Sequence, residues 1–86
     1  MKDIRWSPLK SERLKRTRGL SFEEIISTEF IAAKRHPKRV NQFVLLFMLK
    51  GYIWVVPYIE ERERIFLKTL YPSRKYTKLY RKGELR

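Results

Sequence analysis

Eighty-six residues leave room for one small domain, and 21 Lys and Arg against nine Asp and Glu give it a net charge of +12. A chain this short buries only about two-thirds of its unfolded surface, which argues against a multidomain enzyme with a deep enclosed pocket. The lack of cysteine excludes a disulfide framework and thiolate metal sites and fits a reducing cytoplasm, while 43% apolar content excludes a disordered polycationic tail.

Ile4-Arg5-Trp6 reads as a short first strand, and the opening residues lack the apolar core of a signal peptide. Ser7-Pro8 then starts a helix over about 8–18, with Ser as N-cap, Pro at the first helical position and Gly19 as the left-handed C-terminal cap. Ser21-Phe22-Glu23-Glu24 is a capping box. The stripe Phe22, Ile25, Ile26, Phe30 and Ala33 predicts that the second helix continues to near Lys34, ahead of Pro37. Lys34-Arg35-His36-Pro37-Lys38-Arg39 is a basic loop in which the single histidine is expected to be solvated and to have no role as a base.

Strands are expected over 43–49 and 52–59, joined by a Lys50-Gly51 turn, with Pro57 marking a bulge or an unpaired stretch of edge. The same apolar run is too broken by Lys50-Gly51 and Pro57, and too short of ~20 apolar residues, to span a membrane as a helix. A turn at Glu60-Glu61-Arg62-Glu63 leads into a last strand over 64–71, and a C-terminal helix over 73–82 turns Tyr76, Leu79 and Tyr80 to the sheet. The expected fold is α+β, a single domain over 1–86 in the order β-α-α-β-β-β-α, with an antiparallel sheet packed by two helices and a C-terminal helix.

Charge of this size in a folded domain repels itself and calls for an anionic partner: nucleic acid, an anionic membrane surface or an acidic protein. Ser73 reads as an N-cap, and Arg74 and Lys75 then occupy the first turn of the last helix, against its dipole. A local rule broken in this way points to function, here a phosphate held by free amides and two cations. Period-two alternation in the last strand sets Arg64, Phe66, Lys68 and Leu70 on an open face, opposite Ile65, Leu67, Thr69 and Tyr71. Cations flanking a ring suit single-stranded nucleic acid, the cations meeting phosphates and the ring a base.

With one aspartate, no cysteine and one histidine, the chain offers neither a convergent carboxylate metal site nor a nucleophile–histidine pair, and no cofactor is expected. RNA cleavage needs less, because the adjacent 2′-hydroxyl is the nucleophile. Arg64, Lys68, Arg74 and Lys75 are the candidate stabilisers of phosphorane charge. Phe66, Lys78, Arg81 and Lys82 are candidate RNA contacts. Glu61, Glu63, Tyr71, Tyr76 and Tyr80 are the candidates for moving protons.

Ile4-x-Trp6-Ser7-x-x-Lys10, followed by Arg18-Gly19-Leu20-Ser21-Phe22-Glu23-Glu24, resembles the BrnT family of bacterial type II toxins. Phe66-Leu67-Lys68-Thr69 and Pro72-Ser73-Arg74-Lys75-x-Thr77 are similar to that family's last strand and helix start. The resemblance implies a fold of the wider RelE/ParE group. It also implies an RNA-cleaving, translation-inhibiting cytoplasmic toxin, held inactive by a cognate antitoxin that also binds DNA. Two departures stand out: Ser7 occupies a position where such proteins commonly carry Asp, and Arg18 one where His often precedes the glycine. Two other readings fit charge and aromatics equally well: a non-enzymatic RNA- or ribosome-binding protein, and a toxin of this fold that blocks a protein target.

Overall fold

The computed structural model describes residues 3–35, 38–39 and 42–85. Strand β1 is Asp3–Arg5, helix α1 Pro8–Arg18, helix α2 Phe22–Ile25 and strand β2 Glu29–Arg35. Strands β3 (Gln42–Leu49), β4 (Tyr52–Glu60), β5 (Arg64–Leu67) and β6 (Tyr71–Pro72) follow, then helix α3 (Arg74–Arg81). The strands form one mixed sheet in the order β1-β5-β4-β3-β2. One edge of β4 is paired along its length with β3, so β6 shares the other edge with β5. β1 runs parallel to β5.

The caps lie where side-chain chemistry puts them. Ser7 Oγ accepts from the Lys10 amide at 3.2 Å, and Gly19, at φ +78°, closes α1 with its N–H on the Lys15 carbonyl. An aspartate at position 7 would accept the same bond, so Ser7 serves the joint equally. The capping box is reciprocal: the Glu24 amide donates to Ser21 Oγ at 3.1 Å, and the Ser21 amide to Glu24 Oε1 at 2.9 Å. Lys50 (φ 53°) and Gly51 (φ 80°) are both left-handed, the two-residue turn whose twist suits a hairpin, and they set Leu49 opposite Tyr52.

The second helix is shorter than its apolar stripe predicts. Ser27 Oγ donates to the Glu23 carbonyl at 3.0 Å and Thr28 Oγ1 to the Ile25 carbonyl at 2.6 Å, taking up the carbonyls a longer helix would use. The β-branched residues Ile25, Ile26, Thr28 and Ile31 weaken helix further. Residues 29–35 instead pair with β3, with an irregularity between Phe30 and Ala32. Phe22 and Ile25 are fully buried, but Phe30 is 54% exposed, so only the first half of the stripe is core. His36 and Pro37 lie outside the described residues.

The last strand is also broken. β5 ends at Leu67, and β6 resumes at Tyr71 along the same β4 edge. The Lys68 amide still donates to the Pro57 carbonyl at 2.8 Å. Pro57 has no N–H to offer that edge, so its missing donor falls where the neighbouring strand is interrupted. The interruption shifts the alternation: Leu70, expected on the open face, is fully buried in the same cluster as Leu67. The observed order is therefore β-α-α-β-β-β-β-β-α, with a mixed sheet in place of an antiparallel one.

Both sheet faces are covered, by different helices. On one, Leu14, Leu20, Phe22 and Ile25 from the α1–α2 segment pack on Leu45, Phe47, Val56, Leu67 and Leu70. On the other, Tyr76, Leu79, Tyr80 and Leu85 pack on Val44, Leu46, Ile53 and Val55. Each fully buried large side chain contributes about 1.5–3 kcal/mol. Residues 44–47 of β3 are buried in succession, because both faces of that strand are core. No helix among the described residues is long and apolar enough to cross a membrane.

Candidate nucleic-acid interface

From Arg64 to Gly83 the sequence has no Asp or Glu and seven Lys or Arg, so this segment carries +7 of the chain's +12. It forms β5, β6 and α3. Its placement follows from register: Phe66 stands opposite Ile59, and Tyr71 opposite Val55. Val55 belongs to the α3-side cluster, so Phe66, Lys68 and Tyr71 share the α3 side of the sheet. α3 covers the Ile53–Val55 end of that side. Beyond it, Arg39, Gln42, Pro57, Lys68 and Thr69 line a hollow of about 270 Å³.

A second hollow, of about 430 Å³, runs along α3 and is lined by Arg74, Lys75, Lys78, Leu79 and Lys82. Arg74, Lys78 and Lys82 are spaced by four residues, so they form one row with about 6 Å between steps. The row is held by the helix start. Ser73 Oγ accepts from the Tyr76 amide at 3.1 Å, and no acidic residue occupies the first turn. Lys75 Nζ lies 5.9 Å from the Tyr76 ring centroid.

The two cationic groups are neighbours and do not form one cluster. Lys68 meets the β4 edge at Pro57 and Ser73 meets it at Ile53, four residues apart, which is roughly 13 Å of strand. A single phosphate cannot bridge that span; a strand of several nucleotides can. Tyr71, 37% exposed, stands between them, whereas Tyr76 and Tyr80 pack against the sheet. Arg64 and Phe66 continue the same side toward the acidic turn, where Arg64 Nε is 3.8 Å from Glu61. Arg81 leans to the β3–β4 turn, its Nη2 donating to the Gly51 carbonyl at 3.4 Å. The structure also brings Arg39 and Gln42, which the sequence reading does not name, beside Lys68; Gln42 arrives there because β3 and β5 both pair with β4.

The other side of the sheet is a structural joint. Ser11, 2% exposed, donates to Glu23 Oε1 at 2.5 Å and accepts from the Phe22 amide at 3.0 Å. Trp6 Nε1 donates to Glu23 Oε2 at 3.3 Å. The Ser11 bond, above all, holds the Glu23 carboxyl below its ordinary pKa. The Lys15 ammonium, 2.8 Å away, does the same for Glu24. Arg18 Nη1 donates to the Leu70 carbonyl at 2.6 Å, tying the end of α1 to the broken strand. Burial raises the pKa of Tyr58, which stacks on Phe43 with centroids 5.6 Å apart. Among the described residues no three His, Cys, Asp or Glu side chains gather as a metal site would require.

No protein-family model and no curated protein matches the chain. In fold it is similar to the Brucella abortus ribonuclease toxin BrnT, solved at 1.1 Å resolution. The TM-score is 0.55 at 15% sequence identity, over 85% of this chain and 97% of that one.

Proposed function

We propose that this chain is the toxin of a bacterial type II toxin–antitoxin pair, a metal-independent endoribonuclease of the cytoplasm that stops translation until its antitoxin covers it. A fold alone does not assign a function. The observation that carries this reading is the acid-free segment from Arg64 to Gly83: its Lys68 and Arg74–Lys78–Lys82 row lie on one side of a fold like that of a ribonuclease toxin. RNA laid along that side meets cations at both ends of Tyr71.

In the proposed reaction the 2′-oxygen attacks the adjacent phosphorus and the bond from phosphorus to the 5′-oxygen breaks. A 2′,3′-cyclic phosphate forms, the 2′-hydroxyl proton leaves to a base, and the departing 5′-oxygen takes a proton. Arg74 and Lys75 at the helix start stabilise the charge on the phosphorane, while Lys68, roughly 13 Å along the β4 edge, and Arg64 beyond it hold neighbouring phosphates of the same strand. Tyr71 moves a proton, as the exposed tyrosine between the cations. Phe66, Lys78, Arg81 and Lys82 hold the RNA. The antitoxin supplies acidic and apolar surface to the same face.

The test is induction in cells and RNA cleavage in vitro with a chelator present. Arg74→Gln with Lys75→Gln should cut cleavage by ~10²-fold or more, and Lys68→Ala should act in the same direction. Melting temperature should hold, since removing first-turn cations relieves the dipole conflict. Full toxicity in the folded double variant would place the site elsewhere. Growth arrest with intact RNA would favour a protein target.

A further inference from the structure

The hollow beside Lys68 contains something the rest of the cationic surface lacks. The sequence has only two side-chain amides, Asn41 and Gln42. Gln42 begins β3, half-buried, and lines this hollow with Pro57, Thr69, Arg39 and Lys68. An ammonium or guanidinium only donates. An amide presents a donor and an acceptor side by side, and a hydroxyl does both. Either can donate to a phosphate, but phosphate only accepts, and a base edge alone uses the donor and the acceptor together.

We propose that this hollow is a pocket for one unpaired adenine of the RNA, with Gln42 as the residue that reads it. The Gln42 amide pairs with the adenine amino group and an adjacent ring nitrogen, the pairing glutamine makes best with a base. Pro57 gives the ring an apolar floor, and Thr69 adds a hydroxyl at the rim. Lys68 and Arg39 hold the flanking phosphates, as an unpaired nucleotide splayed from its neighbours requires. Register fixes the arrangement: Gln42 stands opposite Ile59 and Val44 opposite Pro57, so the amide and the proline ring share the α3 side of two adjacent strands. The inference rests on the RNA-binding half of the function proposed above and gives it a sequence preference.

The probe is a set of labelled 2′-O-methyl RNA pentamers with A, G, C or U at the centre of a U background, which cannot be cut by 2′-hydroxyl attack. Fluorescence anisotropy gives their affinities. The wild-type chain should favour central A by about tenfold over central U. Gln42→Leu should bring the central-A affinity down to that of central U, with an unchanged melting temperature. Gln42→Glu, which keeps the shape and loses the donor, should also lose the preference. Lys68→Ala should weaken all four pentamers alike. Equal binding of the four by the wild-type chain, or a preference that survives Gln42→Leu, overturns the pocket. A preference for central G overturns it too and passes the reading to Arg39. Adenine preference in a chain that leaves ordinary RNA uncut would sustain the pocket and sink the ribonuclease reading.

Discussion

Replacing Thr77 by valine tests how α3 is joined to the sheet. β6 ends at Pro72, so the Ile53 amide on the edge of β4 has no strand to donate to. Thr77 takes the strand's place: its Oγ1 accepts from the Ile53 amide at 2.9 Å and donates to the Ser73 carbonyl at 2.6 Å. Thr77 is 2% exposed and Ile53 fully buried, so water cannot replace the hydroxyl. Valine keeps the shape. The Ser73 carbonyl keeps its bond from the Thr77 amide at 3.1 Å, so the loss falls on one stranded N–H. A buried unpaired donor costs about 1–3 kcal/mol. At 4–8 °C per kcal/mol for a domain of this size, a 2 kcal/mol loss lowers the melting temperature by roughly 8–16 °C. Thr77→Ser restores the hydroxyl and should recover most of that. Thermal melts followed by circular dichroism decide it, and a valine variant melting within a degree or two of wild type would refute the latch.

Ser11→Ala removes the acceptor of the buried Phe22 amide and frees Glu23, and should cost about 1–3 kcal/mol in urea unfolding. Glu23 and Glu24 both have folded pKa values below the ordinary 4.5. The stability they confer is full above that value and is lost as pH falls through their depressed values. Melting temperature should therefore decline below about pH 4.5, less steeply in Glu23→Gln. Tyr58, with its pKa raised, should destabilise the fold only as pH rises above about 10, which an alkaline melt series checks. Binding of single-stranded RNA should weaken with salt, log K falling by about 2.8 per log unit if Lys68, Arg74, Lys78 and Lys82 each meet a phosphate; a flat response in anisotropy titrations would remove the electrostatic argument.

What was legible in the sequence was local. Ser7, Gly19, Ser21 with Glu24, Lys50-Gly51 and Ser73 each act through groups within a few residues, and each stands where the local rule puts it. What was not legible was tertiary. Phe30 and Ala33 keep helical spacing with Phe22 and Ile26, but the free edge of β3 offers seven residues a ladder that a lone helix end cannot match. Leu70 looks outward by alternation until the chain slips past Pro57, which cannot donate to a neighbour. The proposed RNA-binding segment is marked in the sequence by its broken rule at Arg74-Lys75. Gln42 carries no such mark: an isolated glutamine beside a basic loop gives no signal until β3 and β4 are in register and set it on the hollow.

The residues that carry the family resemblance divide into two kinds. Trp6, Ser7, Gly19, the Ser21–Glu24 box, Ser73 and Thr77 are caps, hinges and latches, each accounted for by a bond within the fold. Their presence testifies to architecture first. Lys68, Arg74 and Lys75 are exposed, and a fold of this kind can be built without them. Arg18 shifts from one kind to the other. Where a histidine would offer a titratable ring, the guanidinium is committed to the Leu70 carbonyl, at the same strand break that leaves Lys68 beside its hollow. Arg18 therefore serves as a positioning residue for the break, acting through Leu70. In the function proposed here the chemistry falls to the acid-free segment from Arg64 to Gly83, where seven cations in twenty residues repel one another until an anion is laid across them.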